Sequence, residues 1–206
     1  MHEHDSNMSK VFQVSVSTQT TSNNIIITFS EVTSLMEKKD QYMYEAYTDE
    51  LTKIPNRAKF NMYLERVLHE SEKKQNENIL ILIDIDNFKM INDKYGHIVG
   101  DVVLKEFSRL VLANIRAKDF FARWGGEEFV LLLEDTSLEH AKGVAEHLRA
   151  IVEKHDFEID HRITCSFGVA SAKKGDSAEQ LFHHVDNALY QAKNSGRNKV
   201  AVYPSS

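Results

Sequence analysis

Three acidic residues at the ends of predicted strands, Asp84, Asp86 and Glu127, with Glu128 adjoining, have the types and spacing for chemistry. Asp84-Ile85-Asp86 closes the branched run Ile79-Leu80-Ile81-Leu82-Ile83, and Glu127-Glu128 follows Gly125-Gly126 between apolar runs at 120–122 and 129–133. Asp84 and Glu127 form the better metal pair, because two carboxylates from neighbouring strands, completed by water and substrate phosphates, are a usual way of holding magnesium. Asp86 is expected to cap the helix that follows. The glycine pair predicts a two-residue hairpin turn with positive φ at both positions. Backbone without side-chain bulk beside concentrated negative charge suits a metal and a phosphate group held together; taken alone, the stretch also reads as an ordinary hairpin with a solvated acidic tip. Lys89, Lys193 and Arg197 are candidate phosphate contacts, although each singly is an ordinary surface charge. Lys193 and Arg197 straddle Gly196, on a basic loop that could reach triphosphate oxygens. The ten histidines are scattered without zinc spacing, and the single cysteine, Cys165, lies in an apolar run as a small buried residue. Together these residues point to a magnesium-dependent nucleotide enzyme without naming the nucleotide.

The elements that must position them alternate between two periodicities. Residues 11–16 and 25–29 read as two strands joined by a polar turn at 20–24, either the end of a larger sheet domain or an edge that pairs with a second chain. Residues 31–47 read as a helix whose apolar spacing fits a coiled-coil stalk and a surface helix equally. Pro55 interrupts, and a second helix over 57–72 buries Phe60, Leu64, Val67 and Leu68. The run 79–83 has the pattern of a strand covered on both faces. Helices are predicted over 87–94 and 99–116, which puts Asp101 in a first turn, where negative charge is favoured. Thr136 to Glu139 has capping-box spacing and opens a helix to about Lys154; Ser177 to Gln180 caps a last helix ending at Asn194-Ser195-Gly196. Strands at 163–170 and 199–203 complete the reading. Strands interleaved with helices, with a hairpin inside, give an α/β sandwich on a mixed sheet.

At 206 residues the chain holds one full domain with a short appendage. A net charge of −6 argues against a nucleic-acid surface, and no apolar run approaches the about 18 residues that span a bilayer. The single cysteine fits a reducing compartment, and the expected location of this fragment is cytoplasmic, without membrane attachment.

Residues 48–203 resemble the GGDEF family of diguanylate cyclases almost end to end. The resemblance rests on ordered motifs: Asp49-x-Leu51-Thr52 with Asn56-Arg57; Asp84-Ile85-Asp86-x-Phe88-Lys89-x-x-Asn92-Asp93-x-x-Gly96-His97-x-x-Gly100-Asp101; Arg123-Trp124-Gly125-Gly126-Glu127-Glu128-Phe129; Ser166-Phe167-Gly168-Val169-Ala170; and Ala188-Leu189-Tyr190-x-Ala192-Lys193-x-x-Gly196-Arg197-Asn198. It implies a nucleotide-cyclase-like fold with a ferredoxin-like core, and condensation of two GTP into cyclic di-GMP with release of two pyrophosphates. Carried over by position, Asp84, the Ile85 carbonyl and Glu127 hold magnesium, with manganese as the other ion. Asn92 and Asp101 hydrogen-bond the guanine edge. Lys89, Lys193 and Arg197 hold phosphates, His97 lines the substrate loop, and Gly125-Gly126 lets backbone approach the nucleotide. Glu127 or Glu128 assists proton removal. The family often has Asp where Glu127 stands, and both acids occur in active members.

The resemblance further implies a homodimer with one GTP per subunit and product inhibition at Arg116-x-x-Asp119, whose plainer reading is a helix-end ion pair. His147 falls where family members often add an arginine to that site, with Arg149 nearby. Residues 1–30 look like the C-terminal remnant of a PAS-like sensor, 31–47 like a helical stalk, and 48–206 like the cyclase domain. The alternatives are a catalytically silent receptor for cyclic di-GMP or GTP, an enzyme that also accepts ATP, and a purely structural dimerisation module.

Overall fold

The computed structural model describes residues 10–18, 25–74 and 77–204. It divides into two compact units, 1–46 and 47–206. In the first, β1 (Phe12–Thr18) and β2 (Ile25–Glu31) pair antiparallel with Val14 opposite Phe29, and α1 (Thr33–Tyr47) follows. The turn expected at 20–24 lies outside the described residues.

The second unit carries α2 (Arg57–Lys74), β3 (Ile79–Ile85), α3 (Phe88–Tyr95), α4 (His97–Leu112), β4 (Phe120–Arg123), β5 (Glu128–Leu133), α5 (Leu138–Lys154), β6 (Cys165–Ser171), α6 (Ala178–Asn194) and β7 (Val200–Val202). The sheet order is β4-β5-β3-β6-β7; its pairs are antiparallel except the parallel β6–β7, so the sheet is mixed as the sequence predicts.

Every residue of β3 is buried, and strand alternation divides them between two cores. Ile79, Ile81, Ile83 and Ile85 join Phe107 of α4 and Leu148 of α5 on one face. Leu80 and Leu82 join Phe60 and Leu64 of α2 and Leu181, Val185 and Leu189 of α6 on the other. Asp84 has the parity of Leu80 and Leu82, which turns its carboxylate toward α6. Gly168 of β6 lets α6 come close: a Cβ there would lie 2.3 Å from the Val185 carbonyl oxygen and 2.5 Å from the Leu189 nitrogen.

α4 begins at His97, two residues earlier than predicted, so Asp101 falls beyond its first turn and the helix-dipole role expected of it does not apply. α4 ends at Leu112, which leaves Arg116 outside any helix. Ser137, not Thr136, is the N-cap of α5, its hydroxyl accepting from the His140 N–H at 3.3 Å. Thr136 is buried, and its hydroxyl donates to the Glu134 carbonyl at 2.9 Å. The capping box of α6, Ser177 with Gln180, forms as expected.

Candidate active site

β3 ends where β5 begins, so the predicted acids meet. Asp84 stands opposite Glu128 in the ladder, and the Ile85 N–H donates to the Glu127 carbonyl at 3.2 Å. On the other side, the Lys193 ammonium from the last turn of α6 lies 2.7 Å from the Asp84 carboxylate. Burial, together with the charges of Glu127 and Glu128, pushes the Asp84 carboxyl up to about 6 in spite of that lysine. Three carboxylates and one ammonium therefore share the end of one buried strand.

Among the described residues no three His, Cys, Asp or Glu side chains form a ready-made metal cage. The donor set predicted for magnesium does not need one, since that ion keeps several waters and takes only one or two carboxylates plus phosphate oxygens. A carboxylate held above its ordinary pKa first by burial and then by neighbouring negative charge is one that a hard dication would stabilise. The residues fit the ion.

The glycine turn differs from the prediction. Neither Gly125 nor Gly126 has positive φ, and residues 124–127 form a longer loop closed by the Trp124 N–H to Glu128 carbonyl bond at 2.8 Å. The loop is shaped instead by Arg123, which the sequence reading left without a role. Its Nε donates to the Gly125 and Gly126 carbonyls at 3.1 and 3.2 Å, and its Nη2 to Gly126 at 2.6 Å. Its Nη1 donates to Asp49 at 3.0 Å. Against the upward push of burial, donors from Thr52 and Arg123 hold the Asp49 carboxyl below its usual range. Trp124 stacks on Phe182 of α6, centroids 4.1 Å apart, with the Arg57 guanidinium 4.2 Å from its ring centre. Small size remains useful here, since a Cβ on Gly125 would sit 2.9 Å from Glu128 Oε2 and one on Gly126 would meet only open space.

The remaining predicted residues lie on the elements that follow β3. Lys89 is exposed in the first turn of α3, His97 opens α4, and Asp101 is exposed on α4. Asn92 of α3 packs against Gly100 of α4, where an added Cβ would strike its Oδ1 at 1.9 Å. The glycine thus sets Asn92 beside the helix that carries Asp101. Arg197 is exposed and has φ 59°, a left-handed conformation.

Asp86 does not cap α3. Asn87 occupies the N-cap position and makes no side-chain cap bond. Asp86 is buried, and its carboxylate accepts from Thr164 Oγ1 at 2.8 Å, Ser166 Oγ at 2.7 Å and the Asn198 N–H at 3.0 Å. Nothing in the local spacing betrays this, because all three donors come from the far side of the chain. Cys165 is fully buried and burial pushes its thiol well up, as befits an inert core residue.

Arg116 and Asp119 share a cleft of about 320 Å³ with Asn114, Thr136, His140 and Val144. The Asp119 carboxylate accepts the Arg116 backbone N–H at 2.9 Å. The Arg116 guanidinium turns to His140, Nη2 to Nε2 at 3.0 Å; arginine only donates, so this ring nitrogen accepts. Arg149 is held by Glu146, Glu153 and Asn198, whereas His147 lines the adjoining cleft.

A family model described as "Diguanylate cyclase, GGDEF domain" matches residues 46–199. The chain is 40% identical over 161 residues to the diguanylate cyclase DgcP of Pseudomonas aeruginosa, a match covering 77% of this chain and 24% of DgcP. It thus spans about a quarter of that relative. The coiled coil and GGDEF domain of DgcB from Caulobacter crescentus, solved in complex with c-di-GMP, superposes with a TM-score of 0.79 at 31% identity, covering 83% of this chain and 93% of that one. The active GGEEF domain of a diguanylate cyclase from Vibrio cholerae gives 0.69 at 37% identity, covering 73% and 98%.

Proposed function

The chain belongs to the GGDEF family of diguanylate cyclases, and from that membership we propose that it condenses two GTP into cyclic di-GMP with release of two pyrophosphates. The observation that carries the proposal is the gathering of Asp84, Glu127, Glu128 and Lys193 at the end of β3, beside a loop of two glycines.

In this reading Asp84, the Ile85 carbonyl and Glu127 hold magnesium or manganese. When bound, the ion lowers the pKa of the attacking 3′-hydroxyl and stabilises charge on the leaving pyrophosphate. The protein's own part is placement. Lys89, Lys193 and Arg197 fix the triphosphate, Gly125 and Gly126 admit it close to backbone, and His97 lines the substrate loop. Asn92 and Asp101 select guanine, since an amide and a carboxylate match its N1 and N2 donors and O6 acceptor, whereas adenine would leave the carboxylate unpaired. Glu127 or Glu128 accepts the hydroxyl proton.

One domain holds one GTP, so closing the second phosphodiester needs two domains with antiparallel nucleotides, hence a homodimer. Residues 31–47 are proposed as the stalk that couples the pair to an upstream sensor, of which 1–30 are a PAS-like remnant. The Arg116–Asp119 cleft is proposed as the product-inhibition site: Arg116 can fork onto guanine N7 and O6 while Asp119 takes its N1 and N2 donors. Incubating the protein with GTP and magnesium, with Asp84→Asn and Glu127→Gln in parallel, tests the assignment. Conversion of GTP by the wild type and none by the variants is expected; GTP left intact by all three would favour a silent receptor.

A further inference from the structure

Arg197 and Asn198 are consecutive residues in the left-handed region, with φ 59° and 48°. Arginine rarely holds that conformation unless its surroundings impose it, whereas asparagine adopts it more readily. Here both sides of Asn198 are clamped. Its N–H donates to the buried Asp86 carboxylate at 3.0 Å. Its side chain donates to Glu153 at 2.8 Å and accepts from Arg149 at 3.0 Å, both on α5. Asp86 is itself fixed by Thr164 and Ser166 hydroxyls and by its own N–H, which donates to the Thr164 carbonyl at 2.9 Å. The Arg197 N–H, meanwhile, returns to Ala192 at 3.1 Å, tying the loop to the end of α6 that carries Lys193.

We propose that Asp86 is a positioning residue, acting through Asn198 to hold Arg197 in the left-handed turn that aims its guanidinium at the nucleotide phosphates. The proposal rests on the reading of Arg197 as a phosphate contact. Two residues past Asp84 on the same segment, Asp86 makes one rigid piece of the metal-binding end of β3 and the phosphate-binding loop after α6. Two carboxylates in one short motif thereby do different work: Asp84 faces the substrate, and Asp86 shapes the loop opposite it.

A double-mutant cycle on GTP affinity tests this, with a non-reactive GTP analogue and magnesium titrated into wild type, Asp86→Asn, Arg197→Ala and the double variant. Arg197→Ala and Asp86→Asn are each expected to weaken binding about five- to tenfold, and the double variant no further than Arg197→Ala alone. Additive losses would overturn the proposal, because Asp86 would then act independently of Arg197. An Arg197→Ala variant that binds as wild type removes the phosphate reading, and the proposal with it. If Asp86→Asn does not fold, Ser166→Ala replaces it in the cycle: it removes the hydroxyl 2.7 Å from the Asp86 carboxylate and so loosens the group that holds the Asn198 N–H. The same non-additivity with Arg197→Ala supports the proposal, and additivity overturns it.

Discussion

The Lys193 ammonium sits 2.7 Å from the Asp84 carboxylate, so the side chain proposed to hold phosphate and the one proposed to hold metal satisfy each other. Strand parity and the close approach of α6 over Gly168 produce this contact. Binding magnesium and GTP would separate the pair, each taking a partner of the same sign as the one it gives up.

Removing one member should therefore expose the other. Lys193→Met is expected to lower metal-free stability by about 1–3 kcal/mol at neutral pH, because the Asp84 side chain is only 8% exposed and would lose its counter-charge. Adding magnesium should restore part of the loss. Chemical denaturation with and without the ion measures both effects.

Acidity should act on the same carboxylate. Its folded pKa of about 6 exceeds the ordinary 3.8, so the folded state binds the proton more tightly. The resulting stability is fully present below about pH 4 and is lost as pH rises through 6, a change of about 3 kcal/mol. Asp84→Asn cannot make that change. In metal-free buffer its stability relative to wild type should rise across this window and level off above it, as thermal melts over pH would record.

Arg123 should matter more to turnover than its distance from the acids implies. Arg123→Lys keeps the charge but not the fork that reaches Gly125, Gly126 and Asp49 together. Cyclase activity is expected to fall at least about tenfold while the melting temperature shifts by only a few degrees. Equal activity in the lysine variant would show that the loop holds its shape unaided.

The two loop glycines should separate stability from function. A Cβ on Gly126 meets nothing within 4 Å and its φ is not positive, so Gly126→Ala should leave stability within about 0.5 kcal/mol of wild type. Its GTP affinity should nonetheless fall, if backbone must approach the phosphates there. Gly168→Ala should show the opposite pattern, with a stability loss of about 3 kcal/mol or more from the clash with α6 backbone.

Much of the fold was legible because its signals are periodic. The run 79–83 announced a strand buried on both faces, and the apolar spacing of α2 named Phe60, Leu64 and Val67, now found in the core, with Leu68 packed against them. The acids at the strand ends were legible for the same reason, since a strand's end fixes where its last side chain emerges. What the spacing concealed were bonds between segments distant in the chain. Asp86 looked like a cap because capping is the local role of an aspartate before a helix, yet Thr164, Ser166 and Asn198 claim it. The glycine pair looked like a tight turn because nothing near it reveals that Arg123 and Asp49 organise a wider loop. His140 beside Arg116 was equally hidden, being supplied by α5 from a distant part of the chain.

The proposed reaction joins chemistry to pairing: one site per domain, two domains per product. Product formation from GTP and magnesium, followed by nucleotide analysis over a wide range of protein concentration, tests both at once. Cyclic di-GMP and pyrophosphate should accumulate, with specific activity that falls on dilution as dimers part. GTP left unconsumed at every concentration, or specific activity independent of dilution down to demonstrably monomeric protein, would contradict it.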